Sequence, residues 1–130
     1  INEETFLRRM LEAKPEIRDL MDGLASHSYP NPGFSGSVYA YGKGTLRTFD
    51  WELAFLRQLG VTKNLPVFIT ETGWLHSKGV NENLNLLTPE SVGANLRIAA
   101  ATVWTMPRFA TFSPNVTLAI ALLHIAFHTV

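Results

Sequence analysis

The chain has 130 residues, 46% of them hydrophobic, and eleven Lys+Arg balance eleven Asp+Glu for a formal net charge of zero. That length suits one small domain, and the apolar content excludes a disordered chain. The scattered, balanced charges form no basic stripe, so nucleic acid is not an expected partner, and the absence of cysteine excludes a disulfide scaffold, a thiolate metal site and a thiol nucleophile.

Phe6, Leu7, Met10 and Leu11, followed by Ile17, Leu20 and Met21, have helical spacing and predict helix over 5–22. Pro15 interrupts this run; it either kinks one helix or starts a second. Asn2 or Thr5 is placed to cap the start, and Gly23 suits the end. Leu24-Ala-Ser-His-Ser28 reads as a short buried strand, which Tyr29-Pro-Asn-Pro-Gly33 stops firmly. The stretch from Tyr29 to Leu46 is rich in glycine and aromatic residues, and a loop of that length usually carries function.

Phe49 to Leu59 predicts a helix ending at Gly60, with Thr48 or Asp50 as its N-cap. Leu65 to Thr70 is the near-continuous apolar run of a parallel strand buried on both faces. Pro66 falls among its first residues, where a missing N–H is tolerated. Residues 75–88 read as a loop. Thr88-Pro-Glu-Ser91 then opens a helix with a capping hydroxyl, proline at the first position and an acid in the first turn. Val92, Leu96, Ala99, Val103 and Met106 continue it along one face until Pro107. Phe109–Ser113 is a candidate last strand, and Val116–Val130 is an apolar segment expected to be helical.

Helices alternating with apolar strands argue for an α/β fold with a parallel sheet. The charge distribution divides the chain differently. Arg108 is the last charged residue, so the chain carries no formal charge from Phe109 on, and 114–130, beyond the candidate last strand, reads as an uncharged apolar tail. The run from Val116 to Val130 is shorter than the roughly twenty residues that span a membrane, and membrane anchoring is not expected. Ile1 stands where a methionine would begin a complete chain, and no signal segment follows it; both ends read as cut ends of something longer.

In parallel α/β folds the loops after the strand C-termini carry the chemistry. Two such junctions stand out, Ser26-His27-Ser28-Tyr29-Pro30 and Ile69-Thr70-Glu71-Thr72-Gly73-Trp74. Glu71 directly follows an apolar strand, where a desolvated carboxylate must be paired or used. Trp74, three residues on, supplies an indole face of the kind that stacks on a sugar ring. Tyr39 and Tyr41 lie two apart in the long loop and offer a second platform. Among the remaining candidates, Trp51 is expected in the core, Trp104 lies off the apolar face of its helix, and His76 reads as an exposed loop histidine. His124 and His128 have metal-ligand spacing but no third ligand, so no metal is expected. Asn115-Val-Thr117 fits the glycosylation pattern, which often matches by chance.

Leu65-Pro-Val-Phe-Ile-Thr-Glu-Thr-Gly-Trp74 resembles the seventh strand of the clan A retaining glycoside hydrolases, the cellulase-like barrels. Ser26-His27-Ser28-Tyr29 resembles their sixth strand, which often ends His-x-Tyr. The resemblance covers residues 5–113 and implies that 1–113 is a partial (β/α)8 barrel, about strands six to eight with their helices. A complete barrel takes roughly 250 residues, so the chain is about half of one. It implies Glu71 as nucleophile, Tyr29 as its hydrogen-bond partner, and His27 and Trp74 as substrate contacts. The reaction is hydrolysis of β-linked glycosides or polysaccharide and calls for no cofactor; a polysaccharide substrate would imply an extracellular setting.

The mechanism that goes with the resemblance needs a second carboxyl about 5–5.5 Å from the first. In clan A it sits in an Asn-Glu pair at the end of strand four. Asn2-Glu3 matches the pair, but the strand at Leu24 follows too soon for the intervening elements, given that a βαβ unit takes about thirty residues. The acid/base is therefore expected upstream of this chain, and the chain alone is expected to be inactive. No tryptophan ends the candidate last strand, where many clan A enzymes carry one. An open half barrel leaves unpaired sheet edges, so self-association is expected. The competing reading is a non-catalytic carbohydrate-binding or interaction module, which would use Trp74 and the tyrosines but has no need of Glu71.

Overall fold

Pro15 settles the architecture of the first segment. A computed structural model describes residues 2–78 and 83–105, and in it the expected helical run is two helices, α1 (Glu3–Ala13) and α2 (Ile17–Leu20). The proline ring cannot continue the ladder of α1, and Lys14 closes that helix with its N–H on the Met10 carbonyl. Of the two candidate caps the structure uses Asn2, whose side chain accepts the Thr5 N–H at 2.9 Å, satisfying a donor that helix geometry leaves unpaired.

Strand β1 (Leu24–His27) pairs in parallel with β2 (Val67–Glu71). Helix α3 (Thr48–Gln58) joins them and packs on β1. Helix α4 (Pro89–Thr102) follows, capped by Thr88, whose side chain accepts the Ser91 N–H. The described chain is thus mixed α/β around a two-stranded parallel sheet. The candidate strand at 109–113, the helix at 116–130, Asn115, His124 and His128 lie outside the described residues.

Two local expectations are corrected. The N-cap of α3 is Arg47, with no side-chain cap, rather than Thr48 or Asp50. Thr48 is already helical, and its hydroxyl donates to the Thr45 carbonyl at 2.7 Å, stabilising the preceding turn instead. Helix α4 ends at Thr102, before the expected Met106, with Val103 as its C-cap.

The core gathers Leu11 of α1, Leu46, Phe49, Leu53 and Leu56 on and before α3, Val67 of β2, and Ala99 and Val103 at the end of α4. Trp104 belongs to it as well, against the expectation that it lies off the helix face, because α4 stops before it and the chain turns its indole inward. Trp51, expected in the core, is only half-buried. It stacks on Phe55 at 5.4 Å, with the Lys43 ammonium 4.0 Å from its ring.

The sheet has two unlike faces. Leu24 and Ser26 of β1, with Val67 and Ile69 of β2, turn toward the core. Ala25 and His27, with Phe68 and Thr70, are exposed on the other side, as the period of two requires. Behind the core face lies Glu52 of α3, only 8% exposed, with its Oε2 lacking any hydrogen-bond partner among the described residues. Burial above all, then hydrogen bonding with Glu3, pushes its carboxyl up to about 7 from the ordinary 4.5, while Ser26 and Lys43 pull the other way.

This sets a pH dependence whose sign is fixed. Since the folded state holds the Glu52 proton more tightly than the unfolded state, the stabilisation is fully present below about pH 4.5 and is lost as pH rises through about 7. The urea midpoint is expected to fall across that window in the native chain and to flatten in Glu52→Gln. An unchanged slope in the glutamine variant would show that another group titrates.

Candidate active site

The register of the two strands decides which side chains meet. Leu24, Ala25 and Ser26 pair with Val67, Phe68 and Ile69, but His27 pairs with Glu71 rather than Thr70. One residue of β2 is passed over, which reverses the face of everything after it. Without that slip Glu71 would follow Val67 and Ile69 toward the core. With it, Glu71 joins His27 and Tyr29 at the C-terminal ends of the strands.

There the Tyr29 hydroxyl donates to Glu71 Oε2 at 3.1 Å. His27 Nδ1 lies 3.4 Å from the same oxygen. Burial first, then the hydrogen bond to Glu71 and its negative charge, raises the Tyr29 phenol above its ordinary value, which keeps it a proton donor at neutral pH. Glu71 itself stays 40% exposed, so an oxygen oriented by a phenol also remains within reach of solvent and of a ligand.

The loops after the strands are tied to each other. Thr72 Oγ1 donates to the Ser28 carbonyl at 2.7 Å, fastening the two strand ends just beyond the slip. The Leu75 N–H donates to the Phe34 carbonyl at 3.1 Å, and Trp74 Nε1 to the Gly36 carbonyl at 2.8 Å. Gly36 is required by this close packing, because a Cβ there would lie 2.3 Å from the Asn31 carbonyl oxygen. The Phe34 ring meets the Tyr29 ring edge-on, with centroids 4.8 Å apart.

The six residues singled out from the sequence therefore separate. Glu71, Tyr29 and His27 come together. Trp74 does not offer the open stacking face expected of it: it is 7% exposed, packed in the core, with its N–H engaged by Gly36. Tyr39 and Tyr41 are open to solvent, at 67% and 76%, and the Arg47 guanidinium sits 4.7 Å from the Tyr41 ring. Glu3 begins α1, where its neighbours are Lys43 and Glu52 behind the sheet, so the Asn2-Glu3 pair serves a helix start. His76 is exposed, as read from the sequence. Phe34 and Thr72 carried no assigned role; a loop aromatic and a threonine inside the Glu-Thr-Gly-Trp string were the only signals of them.

Among the described residues no group of three or more His, Asp or Glu side chains is arranged to hold a metal ion, and no helix is long and apolar enough to cross a membrane. Comparison with protein-family models, curated proteins and solved structures finds no match to this chain.

Proposed function

We propose that the chain is the nucleophile-bearing part of a retaining glycoside hydrolase, acting on β-linked glycosides or polysaccharide from a partial (β/α)8 barrel. The observation that carries this reading is the half-exposed carboxylate at the end of β2, held on one oxygen by a phenol just beyond the end of the adjacent parallel strand. In the first step a Glu71 oxygen attacks the anomeric carbon, a C–O ester bond forms, and the bond to the leaving oxygen breaks. In the second, water displaces the ester. The Tyr29 O–H stabilises the carboxylate before attack and again as it departs. A second carboxyl, about 5–5.5 Å away in such enzymes, protonates the leaving oxygen and later activates the water; we assign it outside the described residues.

The binding-module reading leans on Trp74 and the tyrosines. Burial of Trp74 weakens it, and the clustering of Tyr29 and His27 on one carboxylate oxygen has no purpose in it.

A leaving group that needs no protonation isolates the nucleophile. With a 2-deoxy-2-fluoro-β-glycosyl fluoride, the C–F bond breaks and fluoride departs unaided, so the test does not require the acid/base. The chain is expected to gain the mass of one fluoroglycosyl group on the peptide containing Glu71, and the Glu71→Gln variant none. An equal gain in both, or labelling at another residue, would overturn the assignment.

A further inference from the structure

We infer that Phe34 is a positioning residue that holds the Tyr29 hydroxyl on Glu71. The inference rests on the proposed role of Glu71 and adds to it a residue with no contact to the carboxylate.

Phe34 is the point where the two strand-end loops close on each other. Its ring packs at 83° against Tyr29, which follows β1. Its carbonyl accepts the Leu75 N–H, four residues beyond Glu71. Glu71, Tyr29, Phe34 and Leu75 thus form a closed circuit of a side-chain hydrogen bond, an aromatic contact, a backbone hydrogen bond and the covalent chain. Trp74 Nε1 on Gly36 braces the same loop two residues away.

The backbone at Phe34 argues for a role of the ring. Its φ is 55°, following Gly33 at 59°, and the Ser35 N–H closes the turn on the Pro32 carbonyl at 3.1 Å. Bulky side chains seldom adopt this conformation, and glycine or asparagine fits it without strain. A phenylalanine at the edge of solvent in a glycine-favouring position is held there by what it touches, and the ring it touches is Tyr29. The tyrosine ring hangs on two rotatable bonds, and its hydroxyl stays in place only if the ring cannot swing about the Cα–Cβ bond; the edge-on contact opposes that swing.

The chain contains only three tyrosines, and Tyr39 and Tyr41 are both exposed. Tyr29 can therefore be followed alone by the carbon resonance of its labelled phenol during a pH titration of the full chain. The Glu71→Gln substitution is expected to lower the Tyr29 ionisation toward the ordinary value of about 10. In a Phe34→Gly background, which relaxes the backbone and deletes the ring, that response to Glu71→Gln is expected to shrink, with the circular dichroism spectrum unchanged. Phe34→Trp, which keeps an aromatic edge, is expected to restore it. A response of equal size in the Phe34→Gly background would overturn the positioning role, as would a glycine variant rescued equally well by Phe34→Leu. A failure of fluoroglycosyl labelling with this coupling intact would instead count against the glycosidase reading and leave the role of Phe34 standing.

Discussion

Glu71→Gln is expected to reduce turnover of an activated aryl glycoside by on the order of 10⁴-fold or more in a form of the protein that carries both carboxylates, the scale of losing a reacting group that acts as one unit with its partners. The amide keeps the size of the side chain and can still accept the Tyr29 hydrogen bond, so the fold is expected to survive. What it cannot do is form the glycosyl ester. Tyr29→Phe provides the contrast. It removes a donor that orients and stabilises the carboxylate, and it leaves the attacking oxygen in place, so its loss is expected to be much smaller. Steady-state rates with a nitrophenyl glycoside distinguish the two. Residual turnover in Glu71→Gln comparable to that in Tyr29→Phe would mean that Glu71 is a structural carboxylate.

The largest expected effect on stability comes from Phe49→Ala. Phe49 is fully buried in α3 among Leu46, Leu53 and Leu56, and α3 is the element that joins the two strands and packs on the first of them. Deleting a buried phenyl ring costs about 3–5 kcal/mol through lost transfer free energy and the cavity left behind. A small domain has only about 5–15 kcal/mol in total, so the variant is expected to lie near its unfolding threshold. The urea midpoint should drop steeply with little change in the slope of the transition. Phe68→Ala removes the same ring from a position more than half exposed on the open face of β2, and its cost is expected to be well under half as large. Equal costs at the two sites would show that α3 does not organise the core.

The elements were legible in the sequence because their signals are local. The helix start at Thr88-Pro-Glu and the apolar run before Glu71 need no tertiary information, and the site trio followed from two strand ends and a resemblance. The remaining features depend on pairing. The one-residue slip opposite His27 cannot be read from β2 alone, because nothing in Val-Phe-Ile-Thr-Glu states its partner. The burial of Trp74 depends on a carbonyl at Gly36, thirty-eight residues away. Glu52 sits on a helix with ordinary amphipathic spacing, and only its burial in the fold, with Glu3 brought alongside, makes its carboxyl unusual. Pro15 stated that the first helix must break, but the choice between a kink and two helices lay in the capping of Lys14 by Met10.

The slip in register also has an electrostatic consequence. By turning Glu71 away from the core face, it leaves the sheet between two carboxyls in opposite conditions, Glu52 dry and prone to keep its proton, Glu71 open to solvent. The sheet acts as an insulating wall. A substitution that tunes the fold through Glu52 acts on one side, and one that reshapes the surroundings of Glu71 acts on the other. A protein built this way can have its pH range of stability adjusted without disturbing the residues around Glu71.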